Sequence, residues 1–187
     1  MIFPLTASQT VGPYFAIGLS WPDGPFAVAP ETPGAIKIRG VIYDGGGRPI
    51  PDYLLETWQA DPVGRFADLW GHGGPSELAG FRGFARVGHE DGDGSFEILT
   101  VKPGPLVLPG GSIAAPHIDV SLFARGMLNR CVTRFYFADE AEANEADPVL
   151  ATVPAERRET LLCRPIDGGY EIDLRLQGPG ETVFFAL

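Results

Sequence analysis

The stretch "AIKIRGVIYDGGGRPIPDYLLETWQAD" (35–61) decides the fold class. Its opening residues alternate apolar and polar side chains with β-branched Ile and Val, the period of a half-buried strand. The "GGGRPIPD" that follows removes ladder donors and favours a loop, and "YLLETWQAD" (53–61) resumes as a second strand.

Working outward, the same grammar recurs. "GFARVGHEDGDGSFEILTV" reads as two strands around an acidic turn at Asp91-Gly92 and Asp93-Gly94. "AAPHIDVSLFARG" (114–126) and "RCVTRFYFAD" give two more strands, "YEIDLRLQG" (170–178) alternates, and "ETVFFAL" predicts a last strand. One window, 139–162, is rich in Ala, Glu and Leu; Pro148 and Pro154 divide it, which predicts one or two helical turns. Residues 1–34, with "VGPYF", "WPDGPF" and "APETPG", predict an irregular arm, and the glycine-rich 71–83 predicts a long loop. Six to eight short strands in one domain of 187 residues make an all-β sandwich the predicted fold. The aspartates of "DGDGSFE" lack the spacing and flanking helices of a calcium loop and read as a solvated turn.

Composition limits the function. A formal charge of −10 opposes phosphate-backbone binding, so nucleic acid is not an expected partner, and an anionic substrate would require a local arginine. No run approaches the roughly 20 apolar residues of a membrane span and the start lacks a basic n-region, which predicts a cytoplasmic protein. Cys131 and Cys163 have no metal or redox spacing and read as reduced, buried thiols.

His117 is one of three histidines. On a strand it shares a face with Asp119, a feasible pair of ligands, but His72 and His89 sit in unmatched loop contexts. By residue content alone His117 reads as a satisfied structural histidine.

The order "TVGPYF", "G.IYDGGGRPIPDYLLETWQADPVGRF", "GSFEILTVKPGP", "PHIDVSLFARG" and "RFYF" resembles the intradiol ring-cleaving dioxygenases from about Thr10 to the C-terminus, above all the members built of two homologous chains. The resemblance implies non-haem Fe(III) held by two tyrosines and two histidines in the catalytic, beta-type chain. Hard phenolate donors favour the ferric state. Here "GRF" puts Phe66 and "KPGPL" puts Leu106 where the pattern has tyrosines, and "HID" keeps His117 but puts Asp119 where the second histidine belongs. Ala114 replaces an arginine of the catalytic pattern. The resemblance is therefore to the non-catalytic alpha-type chain, with no iron site of its own, and the iron is expected in a partner beta chain.

The resemblance further implies that Thr10, Gly12, Pro13 and Tyr14 line the partner's substrate pocket, and that Arg134, facing away from Phe135, borders it as the cation for the carboxylate of protocatechuate. The implied partners are the beta chain, protocatechuate and O2. Two other readings compete: a stand-alone β-sandwich interaction or carrier module, and a self-sufficient dioxygenase with other ligands among Tyr43, Tyr53, Tyr136, Tyr170, His72 and His89.

Overall fold

The computed structural model describes residues 6–12, 14–67, 76–89 and 92–186. Among these residues eleven strands form: β1 Ala35–Tyr43, β2 Tyr53–Trp58, β3 Phe84–His89, β4 Ser95–Val101, β5 Leu106–Val107, β6 Ile113–Ala114, β7 His117–Ala124, β8 Cys131–Phe137, β9 Leu162–Ile166, β10 Gly169–Glu171 and β11 Leu174–Arg175. The fold is all-β, as the alternation predicts. The extra strands over the expected number are the two- and three-residue ones, too short to show a period.

Two layers share one core. The first holds β4, β1 and β10 with β11; the second is β3-β2-β7-β8. Strand β9 belongs to both: Leu162 and Cys163 run parallel to β8, whereas Arg164–Ile166 pair antiparallel with β10. Ile38, Ile42, Phe96 and Ile98 of one layer meet Leu55, Val120, Leu122 and Phe135 of the other in a single buried cluster. The Phe96 and Phe135 rings stack across it with centroids 6.1 Å apart. Gly40 is obligatory in β1, because a Cβ there would lie 1.7 Å from the Ile172 carbonyl oxygen.

On the far side β3 and β4 lie beside one another without a ladder. The expected 84–101 hairpin is therefore corrected: these strands pair with β2 and β1 instead and belong to different layers. Residues of the arm fill the seam. Gly24 O accepts from Arg86 N–H, Pro25 O accepts from Leu99 N–H, and Ala27 N–H donates to Leu99 O. Open edges that would template aggregation are thereby satisfied, and the sheet is nearly closed.

Three further expectations change. The arm is not wholly irregular, since α1 Tyr14–Leu19 forms a short helix whose Phe15 packs on Leu54. The 139–162 window yields three short pieces, α2 Ala141–Ala146 and 3-10 turns at Leu150–Thr152 and Ala155–Leu161. The "ETVFFAL" end makes isolated bonds, Thr182 N–H to Arg175 O and Phe185 N–H to Val132 O, but no strand among its described residues 181–186. Within 170–178 the ladder breaks because the Asp173 carboxylate, not a backbone carbonyl, accepts the Val41 N–H at 3.0 Å.

Candidate functional site

The site is built on the outer face of the second layer. Alternation turns Ile118, Val120 and Leu122 of β7 into the core and puts His117, Asp119, Ser121 and Phe123 on the opposite face, where His117 is nevertheless buried and the other three are half-buried. Register then sets their neighbours: His117 lies opposite Tyr136, Asp119 opposite Arg134, and Trp58 of β2 flanks Asp119. Phe123 and Leu54, opposite each other at the far end of the face, are covered by Phe15 of α1.

The "ADPVGRF" loop is tied down by Asp61, which is buried and accepts from the Val63 and Arg65 N–H groups at 2.9 Å and from the Ser76 hydroxyl at 2.6 Å. Gly64, at φ +81°, lets the Pro105 carbonyl come so close that a Cβ would sit 2.5 Å from its oxygen. This contact brings Phe66 and Leu106 together on a mostly apolar cavity of about 690 Å3. Phe66 stacks on Trp58 at 5.9 Å and 10°. Leu106 pairs with Ala114, which leads into β7.

Phe66 and Leu106 thus share a cavity, and Trp58 links Phe66 to Asp119, but the chemistry of the four residues that the resemblance sets at ligand positions does not fit ferric iron. Phe66 and Leu106 offer no donor atom. Asp119 is engaged by Arg134, Oδ1 to Nε at 2.8 Å. His117 is 4% exposed, and its Nδ1 lies 2.6 Å from the Ala115 carbonyl, which can only accept, so Nδ1 carries the proton. Burial, then the nearby Arg134 charge, hold its pKa below the ordinary histidine value. Among the described residues no three His, Cys, Asp or Glu side chains gather as metal ligands.

A buried carboxylate supports this arrangement from behind. Asp147, fully buried, accepts from the Ala115, Val149 and Leu150 N–H groups at 2.7–2.9 Å and from the Tyr136 hydroxyl at 3.1 Å. Burial is the largest influence raising the Tyr136 pKa, so its hydroxyl stays protonated and donates to Asp147.

The arm residues sit elsewhere. Thr10 Oγ1 accepts the Gly126 N–H at 2.8 Å, beyond the end of β7, while Tyr14 is 78% exposed and Gly12 is unobstructed. Pro13, His72 and the His89 side chain lie outside the described residues. Gly126 is seven positions from Asp119, roughly 20 Å along an extended strand. Within one copy of the chain, then, Thr10 and Arg134 are not brought to a common point. Among the described residues two cations lie at the Thr10 end of the arm: Arg130, which lines a small cavity with Gln9 and Val11, and Arg125, next to Gly126 in the chain, exposed and 2.9 Å from Asp52. Sequence reading passed over Arg125; its place immediately after an alternating strand and before Gly126 was the available signal.

The family model described as "Dioxygenase" matches residues 12–165. The chain is 44% identical over 198 residues to the protocatechuate 3,4-dioxygenase alpha chain of Burkholderia cepacia, covering 96% of each. It is 32% identical to the beta chain from the same organism, over 79% of this chain and 66% of that one. Among solved structures, the dioxygenase domain of a carbohydrate-binding fusion protein from Streptomyces sp. SirexAA-E superposes with a TM-score of 0.58 at 29% identity, covering 92% of this chain and 98% of that one. The chain belongs to the intradiol dioxygenase family. Its full-length similarity is to protocatechuate 3,4-dioxygenase alpha chains, and a homologous beta chain exists beside them.

Proposed function

We propose that this chain acts as the iron-free alpha subunit of a protocatechuate 3,4-dioxygenase, paired with a homologous beta chain that holds the non-haem Fe(III). The pair inserts both atoms of O2 between the vicinal hydroxyl carbons of protocatechuate to give 3-carboxy-cis,cis-muconate. The observation that carries this reading is the Asp119–Arg134 ion pair standing where a ligand would be needed, beside donorless Phe66 and Leu106. Iron bound by the partner would supply the redox chemistry. This chain supplies walls and orientation.

Thr10, Gly12, Pro13 and Tyr14 face the partner's pocket in this account. Thr10 is fixed by its bond to Gly126, and the exposed Tyr14 presents a ring and a hydroxyl. The substrate carboxylate meets Arg125, a guanidinium next to the Thr10-bound Gly126, which follows β7. Holding the ring in place through such contacts contributes to turnover as well as to binding.

A stand-alone carrier module is disfavoured by exposed apolar side chains around β5 and β6: Val63, Val107 and Ile113 are 72%, 69% and 58% exposed. They suit a covered interface. The free thiols Cys131 and Cys163 favour a reducing, cytoplasmic setting.

Co-expression with the beta chain tests the reading. The two chains are expected to co-purify and to consume O2 with protocatechuate, which this chain alone does not. Turnover by this chain alone, or failure of the two to associate, would overturn it.

A further inference from the structure

The arm runs from α1, which ends at Leu19, to the seam bonds at Gly24 and Pro25. One side chain spans that joint. Arg86 of β3 stands opposite Glu56 of β2, and its Nε and Nη2 both meet Glu56 Oε1, at 2.7 and 2.5 Å. Glu56 thereby fixes the guanidinium. Nη1, on the other branch of the fork, donates to the Leu19 carbonyl at 3.3 Å, at the end of α1 where an arginine can satisfy a terminal carbonyl. The guanidinium carbon lies 4.6 Å from the centroid of the Trp21 ring, the distance of a cation–π contact.

The same residue holds the arm by its backbone. Arg86 N–H donates to Gly24 O at 2.7 Å, and a Cβ on Gly24 would lie 2.6 Å from the Arg86 carbonyl oxygen, so only glycine lets the arm approach this closely. The Arg86 and Glu56 side chains are 19% and 24% exposed, which shields their pairing from salt. A planar fork that serves a carboxylate, a carbonyl and an indole face together cannot be matched by the single ammonium of a lysine.

We propose that Arg86 is a positioning residue for the dioxygenase reaction: it holds the end of α1, and through α1 the Thr10–Tyr14 segment that walls the partner's pocket. This rests on the function proposed above, and Arg86 touches no reacting atom. A loosened arm occupies its competent position for a smaller fraction of the time, so apparent substrate affinity falls by that fraction and saturating substrate recovers it. The signature is a raised KM with kcat kept. Simple loss of folded protein does the reverse, lowering kcat at constant KM.

The test uses the full-length chain, alone and paired with the beta chain. In the isolated chain, hydrogen exchange over residues 14–24 should quicken by about tenfold or more in Arg86→Gln, with β7 and β8 unchanged. Arg86→Lys, which keeps a charge beside Glu56, should keep the urea midpoint and still show the faster arm. Trp21→Leu, an exposed change that leaves Glu56 paired, should show the same pattern to a lesser degree, and reads the contact even where Arg86→Gln disturbs the fold. In the pair, Arg86→Gln should raise KM by about fivefold or more, equally for protocatechuate and catechol because the arm walls the ring, with iron content and kcat kept. Unchanged arm exchange in Arg86→Gln and Trp21→Leu, a fall in kcat at constant KM, or a rise in KM for one substrate alone would each overturn the proposal. Absence of turnover in the unsubstituted pair would overturn the proposed function and the positioning role with it, and is told apart because it appears before any substitution.

Discussion

Asp119 and Arg134 stand directly opposite each other in the β7–β8 ladder, and their side chains close the pair at 2.8 Å on the outer face. Asp119, at a position that the family resemblance gives to a metal ligand, is thus engaged in holding a cation. Asp119→Ala leaves the half-buried guanidinium without its counter-charge. We expect a loss of about 1–2 kcal/mol, seen as a lower denaturation midpoint, with Asp119→Asn losing less. An unchanged midpoint would mean that the pair is only superficial.

Arg125 and Arg134 separate two roles. In the reconstituted pair, Arg125→Ala should raise KM for protocatechuate by on the order of tenfold or more, and for catechol, which lacks the carboxylate, far less. Steady-state kinetics with both substrates checks this. Equal effects on the two would remove Arg125 from carboxylate recognition.

Asp147 holds four donors in a fully buried place. Asp147→Ala should cost about 3 kcal/mol or more, because each orphaned buried donor loses its partner, and should lower Tm by on the order of 6–12 °C. A shift of only a degree or two would imply that water replaces the carboxylate.

His117 gives the fold a pH dependence of defined sign. Its folded pKa lies below the unfolded 6.5, lowered first by burial and then by Arg134. The unfolded chain therefore binds the proton more readily, and the stability held above the unfolded value is lost as pH falls through 6.5 toward the folded pKa. Urea midpoints at several pH values across this window should decline toward acid. His117→Asn, whose amide can still donate to the Ala115 carbonyl, should flatten that decline.

Much of this was legible in residues alone. The alternation of "AIKIRGVIY" and "HIDVSLFA" marked strands and faces. Pairing partners were not legible. The 84–101 segment looks like a hairpin because local turn chemistry says nothing about which layer each strand joins. Nor could the sequence reveal that residues 24–27 seal a seam, or that Asp173 and Asp147 replace backbone partners, since those bonds join residues far apart in the chain. Which arginines lie at the Thr10 end of the arm was not legible for the same reason: the Thr10–Gly126 bond brings in Arg125, next to Gly126 in the chain, and Arg130 shares a cavity with Gln9 and Val11.

The most direct test of the central claim is the iron content of this chain, purified alone and again as a pair with its beta chain. The account predicts no iron in the isolated chain and one ferric ion per pair, retained by the beta chain when the two are separated. Stoichiometric iron in the isolated chain would contradict it, and would mean that residues other than Phe66, Leu106, His117 and Asp119 form a ferric site.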